Sequence, residues 1–206
     1  MFLSIIKLNL SKRETLIALS NPQRFHGAVS KIFYGKENER PLWRVDSYKG
    51  NYDFLLLSRE IPNLICFVNQ FGIEDDLGSV TTKDYFPFLN GIANGQTWSF
   101  RLTANTVITK NGHCVPVVGT ENQISWLSDK SKNKGFDIDL ISFCKTEKSL
   151  FQKGGGSDKK SFLSATTFDG ILTVNKKDTF VDTLINGIGH GKAYGMGLIT
   201  LVSYTK

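Results

Sequence analysis

The chain is poor in the groups that most hydrolytic and redox chemistry requires. Its three cysteines, Cys66, Cys114 and Cys144, lie far apart in 206 residues, and no C-x-x-C occurs. A disulfide framework and a zinc knuckle are both unsupported, and a reducing cytoplasm is the simplest setting. Only three histidines are present, His26, His113 and His190. His113-Cys114 has no ligand spacing to a neighbour, and Asp75-Asp76 lacks the sequence partners of a metal nuclease, so neither a metal nor any small-molecule cofactor is expected. No G-x-S-x-G occurs, which removes the hydrolase nucleophile elbow. No apolar run approaches the ~20 residues of a membrane span. The stretch Met1–Lys7 is too short and too soon broken for a signal peptide. A soluble cytoplasmic protein with no membrane partner is expected.

Positive charge, by contrast, is in excess. The net charge is +6 with a pI near 9.2, which points toward anionic partners. The excess sits at the two ends. Residues 1–50 carry nine Lys/Arg against four Asp/Glu, while residues 51–100 carry two against six. The fifteen phenylalanines are mostly expected in the core.

Glycine is also concentrated. Gly187-Ile-Gly-His-Gly-Lys-Ala-Tyr-Gly-Met-Gly197 holds five glycines and one lysine in eleven residues. Glycine places no Cβ in the way of a ligand, so amide N–H groups and an ammonium can converge on phosphate oxygens. Gly187, Gly189, Gly191, Lys192, Gly195 and Gly197 are therefore candidate phosphate-backbone contacts. A nucleotide P-loop is disfavoured, because the Gly187–Gly191 spacing is one residue short and Ala193 replaces the hydroxyl residue. A Rossmann turn is disfavoured because these glycines follow a helix and precede a strand. The plain alternative is a helix-to-strand connection with tight turns.

The pattern along the chain alternates strands and helices. Phe2–Leu10 reads as a strand, and Ser11–Glu14 as a capping box. Asn21-Pro22 restarts a helix that runs to about Phe33, with Asn as N-cap and Pro at the first helical position. Pro41–Ser47 and Tyr52–Ser58 read as a hairpin. Ile61–Phe71 is ambiguous, and Thr97–Thr103 reads as the next strand. A helix from Thr120, strands Phe136–Cys144 and Ser161–Val174, a helix Asp178–Gly187 and a strand Met196–Tyr204 follow. The order is β-α-β-β-x-β and then a second unit of similar design. The expected fold is α+β, in two domains, 1–110 and 111–206. Between the strands, residues 153–160 form a flexible basic segment, either a mobile hairpin tip or a finger that orders on RNA.

His26 carries the candidate chemistry. On the Pro22–Phe33 helix, Phe25, Ala28, Val29, Ile32 and Phe33 form one apolar face, with His26 at its edge. Gln23 and Ser30 flank it at i−3 and i+4, and Tyr34 follows if the helix continues. A boundary histidine beside polar groups is positioned and still wet, which suits proton transfer near neutral pH. Its alternative is simple packing.

Three segments together resemble a known family. They are Asn21-Pro22 with His26 and Ser30-Lys31; Arg101-Leu-Thr-Ala-Asn105; and Phe168-Asp-Gly-Ile-Leu-Thr-Val174 with the loop Gly187–Leu198. Their order and spacing are similar, over essentially the whole chain, to the CasE-type CRISPR-associated endoribonucleases of type I-E Cascade. The resemblance implies two tandem ferredoxin-like (RRM-like) domains. It implies metal-independent cleavage of precursor CRISPR RNA at the base of the repeat hairpin, by 2′-OH attack. The products are a 5′-OH and a 2′,3′-cyclic or 3′-phosphate end, and the crRNA is retained with other Cascade subunits. The family's catalytic histidine maps onto His26, and Lys31 onto a basic residue that stabilises phosphorane-like charge.

One departure stands out. Some relatives carry a tyrosine three residues before the histidine, where this chain has Gln23. Gln orients groups but does not exchange a proton near pH 7. Ser30 and Tyr34 are the candidate replacement hydroxyls. Lys31 also projects about 140° from His26 on an ideal helix, so sharing one phosphate requires the helix to end near Ser30 or the long stem to reach around. RNA contacts are expected from Arg24, Lys153, Lys159, Lys160 and Lys192 with the loop glycines. A hairpin stem is A-form, so shape and phosphate dominate. The competing expectation is a catalytically weak or silent hairpin-binding subunit, with Gln23 as the mark of lost activity. A third, an RRM-like module, lacks the K/R-G-F/Y-G/A-F-V-x-F/Y octamer.

Overall fold

The computed structural model describes residues 1–36, 39–74, 78–110, 112–152 and 160–204. Lys153, Lys159 and the pair Asp75-Asp76 lie outside the described residues, as does the side chain of Lys160. Two compact units divide the chain. The first holds Met1–Pro87, Ser149–Phe162 and Ala193–Gly195; the second holds Phe88–Lys148, Leu163–Lys192 and Met196–Lys206.

The first unit runs β1 (Phe2–Lys7), α1 (Arg13–Ser20), α2 (Pro22–Ile32), β2 (Leu42–Tyr48), β3 (Asn51–Ser58), α3 (Ile65–Phe71) and β4 (Val80–Asp84). Its sheet order is β2-β3-β1-β4. Strand β1 pairs antiparallel with both neighbours, placing Ile6 opposite Phe54 and Val80. The β2–β3 hairpin turns through Lys49 and Gly50 at φ 48° and 80°. Positive φ at both central residues is the primed turn whose twist matches the strands.

The helices cover one face because their apolar residues fall in stripes. Phe25, Val29 and Phe33 of the α2 segment join Ile6, Trp43, Phe54, Leu56, Phe67 and Phe71 in one core. Asn21 caps α2, its side-chain oxygen accepting from the Gln23 N–H at 3.1 Å, with Pro22 at the first helical position. The capping box expected at Ser11–Glu14 does not form. Lys12 is the N-cap without a side-chain cap bond, and the Ser11 N–H donates to Asn9 Oδ1 at 2.9 Å. Asn9 takes the local donor into a turn of its own, and the helix starts later.

The second unit follows the same plan with a hairpin inserted: β5 (Thr97–Asn105), β6 (Val107–Lys110), β7 (His113–Pro116), α5 (Thr120–Ser131), β8 (Phe136–Gln152), β9 (Lys160–Val174), α6 (Lys177–Asn186) and β10 (Ile199–Ser203). A five-residue helix, α4 (Phe86–Asn90), precedes β5. The sheet order is β10-β5-β9-β8. In each unit the first strand of the β-α-β-β-α-β series lies between the third and fourth, an arrangement consistent with tandem ferredoxin-like folds. Phe100, Leu102 and Ala104 are buried while the residues between them face outward, the period of a half-buried strand.

The strand at 97–103 departs from expectation. A first domain of 1–110 would make it the last strand of the first sheet. It instead pairs with β9 and β10, and Val80–Asp84 closes the first sheet. Residues 88–110 belong to the second unit. Strand β4 carries Val80-Thr-Thr-Lys-Asp84, mostly exposed, so it lacks the apolar alternation that marks a strand in sequence. Nine phenylalanines are buried among the described residues. No helix among those residues is long and apolar enough to cross a membrane.

Two stability predictions arise on α2. Asn21→Ala removes the cap and should cost about 1 kcal/mol. Gly27 has nothing within 4 Å of where its Cβ would stand, so Gly27→Ala should stabilise by about 0.5–1 kcal/mol. Urea unfolding midpoints check both. A third concerns Tyr85, whose half-buried phenol is pushed above the ordinary tyrosine range by burial. The unfolded chain releases this proton first, near pH 10. The stability held below that pH is therefore lost as pH rises further. Tyr85→Phe should flatten the fall in unfolding free energy above about pH 10.

Candidate active site

His26 stands where the helix pattern places it, half-buried on α2 beside the fully buried Phe25. Phe25 anchors the helix through four rings: Trp43 at 5.8 Å, Phe54 at 5.2 Å, Phe67 at 6.1 Å and Phe71 at 5.0 Å between centroids. His113 and His190 are exposed, so His26 is the one histidine partly withdrawn from water.

The expected helpers of His26 are placed differently from one another. Ser30 lies one turn along and donates its hydroxyl to the His26 carbonyl oxygen at 2.9 Å. That proton is committed to the backbone, a common bond for a serine inside a helix. Tyr34 follows the helix end and is 91% exposed. The helix runs without a break from His26 through Ile32, so Tyr34 is carried about 9 Å or more along the axis. The structure does not bring it to the imidazole. Lys31 is exposed in the last turn. Because the helix does not end near Ser30, Lys31 keeps its angular offset of about 140° from His26. Arg24 is exposed on the first turn of the same helix.

The aromatic partner of His26 comes from elsewhere in the sequence. The ring of Tyr194 lies 5.7 Å from the imidazole, inclined at 57°. Both residues belong to the first unit, which takes in Ala193–Gly195 of the glycine-rich segment. No sequence motif assigns Tyr194 a role. The only signal is an aromatic side chain inside a glycine-rich loop.

The glycines of that segment separate into two kinds. All five adopt positive φ. Gly187, Gly195 and Gly197 are buried, so their backbone is not offered to a ligand. A Cβ on Gly195 would stand 2.6 Å from the Trp43 ring, and one on Gly197 would stand 2.7 Å from the Ile188 carbonyl oxygen. Their missing side chains make room for protein. The amides are used internally as well: Ile188 N–H donates to the Gly197 carbonyl and Gly197 N–H to the Thr103 carbonyl. Gly189, Gly191 and Lys192 are half-buried and His190 and Ala193 exposed. The part of the loop presented to solvent is therefore 189–193. Of the loop glycines expected to touch RNA, Gly187, Gly195 and Gly197 are thus buried and Gly189 and Gly191 half-buried.

The other two segments of the resemblance are joined within the second sheet. Arg101 and Asp169 are register partners, and the guanidinium donates two bonds to the carboxylate at 2.6 and 2.7 Å. Asn105 forms an isolated bridge with His190. Gly170 faces the Leu140 carbonyl oxygen, 2.1 Å from where a Cβ would be. Among the described residues, no group of three or more His, Cys, Asp or Glu is placed to hold a metal ion.

Known proteins resemble this chain along nearly its whole length. A family model described as CRISPR associated protein matches residues 1–202. The CRISPR-associated endoribonuclease Cse3 of Thermus thermophilus is 25% identical over 215 residues, covering 98% of this chain and 99% of its own length. The CRISPR system Cascade subunit CasE of Escherichia coli is 33% identical over 89 residues, 42% of each chain. A solved structure of Cse3 bound to a 19-nucleotide RNA superposes with TM-score 0.81 at 25% identity, covering 98% of this chain and all of that one. The chain belongs to the family of CRISPR-associated proteins, and it is similar to the Cse3 and CasE members named above.

Gly195→Ala should destabilise by about 2–4 kcal/mol, combining a left-handed backbone with a clash against Trp43. Thermal unfolding of the full chain checks it.

Proposed function

We propose that this protein processes precursor CRISPR RNA as an endoribonuclease, cutting at the base of the repeat hairpin and keeping the product as a Cascade subunit. The observation that carries the reading is His26, the one histidine half-withdrawn from water and fixed on a capped helix. Similarity to Cse3 along nearly the whole of both chains supports it. Each unit is read as a ferredoxin-like domain.

The chemistry suited to these residues needs only proton transfer and charge stabilisation. The ribose 2′-oxygen attacks the adjacent phosphorus, a new P–O2′ bond forms and the P–O5′ bond breaks. The 2′-hydroxyl proton leaves to solvent or a base. His26 delivers a proton to the departing 5′-oxygen, leaving a 5′-OH and a 2′,3′-cyclic phosphate. Lys31 answers the charge on the phosphorane-like oxygens, its stem reaching around the helix from the next turn. Arg24, the loop stretch Gly189–Lys192, and Lys153, Lys159 and Lys160 are assigned to the RNA backbone, where each neutralised phosphate adds to the salt dependence. A second reading, a silent hairpin-binding subunit, is favoured by Gln23 and by the angular separation of Lys31 from His26.

Cleavage of end-labelled cognate repeat RNA in EDTA distinguishes these readings. Wild type should cut at one site, a single 2′-deoxy at the scissile nucleotide should abolish cutting, and His26→Ala should slow it roughly 100-fold or more. A requirement for divalent metal would overturn the mechanism, and tight binding without cleavage would leave the silent subunit. Lys192→Ala, and Lys159→Ala with Lys160→Ala, should weaken repeat binding and lower the salt slope by about one for each phosphate that no longer meets a lysine. Unchanged affinity in both would remove these assignments.

A further inference from the structure

Position 194 is separated from His26 by most of the chain, yet its ring meets the imidazole at 5.7 Å. The pair is held in place from both sides. On one side, Phe25 locks α2 into the core against Trp43. On the other, Gly195 seats its backbone against the same Trp43 ring, where a Cβ would come to 2.6 Å. Trp43 is buried at 3% exposure and stacks on Phe54 at 5.2 Å. One indole thus fixes both the helix that bears His26 and the short turn that bears Tyr194. All of these residues lie in the first unit.

Two side chains nearer in sequence are committed elsewhere or exposed. Ser30 gives its proton to the His26 carbonyl, and Tyr34 stands in solvent. An imidazole on the edge of an apolar face takes its ring orientation from the groups packed against it. Tyr194 is one such group, and its ring is inclined to the imidazole, within the range of geometries that ring pairs favour over a face-to-face sandwich.

We propose that Tyr194 is a positioning residue for His26, setting the orientation of the imidazole through its ring rather than through its hydroxyl. The catalytic consequence rests on the endoribonuclease reading above; the positioning itself does not. A general acid must point its N–H at the leaving oxygen, and a misplacement of the order of an ångström costs roughly 100-fold. The residue acts on the reaction only through His26.

The test uses the full chain and two readouts. The first is the NMR chemical shift of the His26 imidazole protons without RNA, with His26 assigned by its loss in His26→Gln. The second is single-turnover cleavage of repeat RNA at saturating protein. Tyr194→Leu should remove the ring-current shift from His26 and slow cleavage roughly 10- to 100-fold with repeat affinity unchanged. Tyr194→Phe should keep both the shift and the rate, which a variant damaged in folding would not. Should Tyr194→Leu disturb the fold, Tyr194→Met, which fills a similar volume without a ring, carries the same comparison against Tyr194→Phe. Imidazole shifts identical in wild type and Tyr194→Leu would overturn the proposal. So would cleavage abolished in Tyr194→Phe with the ring-current shift retained, because the hydroxyl would then be the acting group. If the shifts change as expected but wild type itself does not cleave, the endoribonuclease reading fails while the positioning of His26 by Tyr194 stands.

Discussion

Phe25 packs against Trp43, Phe54, Phe67 and Phe71, and this burial is the constraint on which the candidate site depends. Helix α2 has 11 residues, too few to persist in water alone. Its position on the sheet comes from this aromatic cluster. The residue next to Phe25 is rotated by about 100°, which places it at the rim of the core. That residue is His26. Its half-buried state follows from helix geometry once Phe25 is fully buried.

Trp43 extends the same constraint to a distant part of the chain. Its edge-to-face packing with Phe25 and the absence of a Cβ at Gly195 bring the Ala193–Gly195 segment into the first unit. The glycine-rich segment is therefore mixed in purpose. Gly195 and Gly197 let the backbone approach protein, and only 189–193 offer groups to solvent. A glycine count cannot separate these uses, because both require positive φ and a missing side chain.

The segments that mark the family also divide by physical role. Arg101 and Asp169 neutralise each other as neighbours in the second sheet, and Gly170 admits the Leu140 carbonyl. These motifs hold strands in register. Asn21, Pro22 and His26 place a titratable ring near the start of a capped helix. The persistence of helix α2 through Ile32 leaves Lys31 on another face, so any shared role with His26 depends on the reach of its side chain.

Elements whose signals are local can be read from the residues alone. The Asn21-Pro22 cap, the apolar stripe of α2, the Lys49-Gly50 turn and the alternation of β5 were all legible, because capping, helical period and strand period act over a few residues. The mapping of His26 to the rim of the core followed from the same periodicity. The remainder came from packing between distant segments. This packing placed β5 in the second sheet, since strand pairing depends on partners up to about a hundred residues away, such as Ile199 opposite Leu102. It also put Tyr194 beside His26 and Gly195 against Trp43. Those meetings come from packing between segments distant in the chain, and no local pattern encodes which surfaces meet when the core closes.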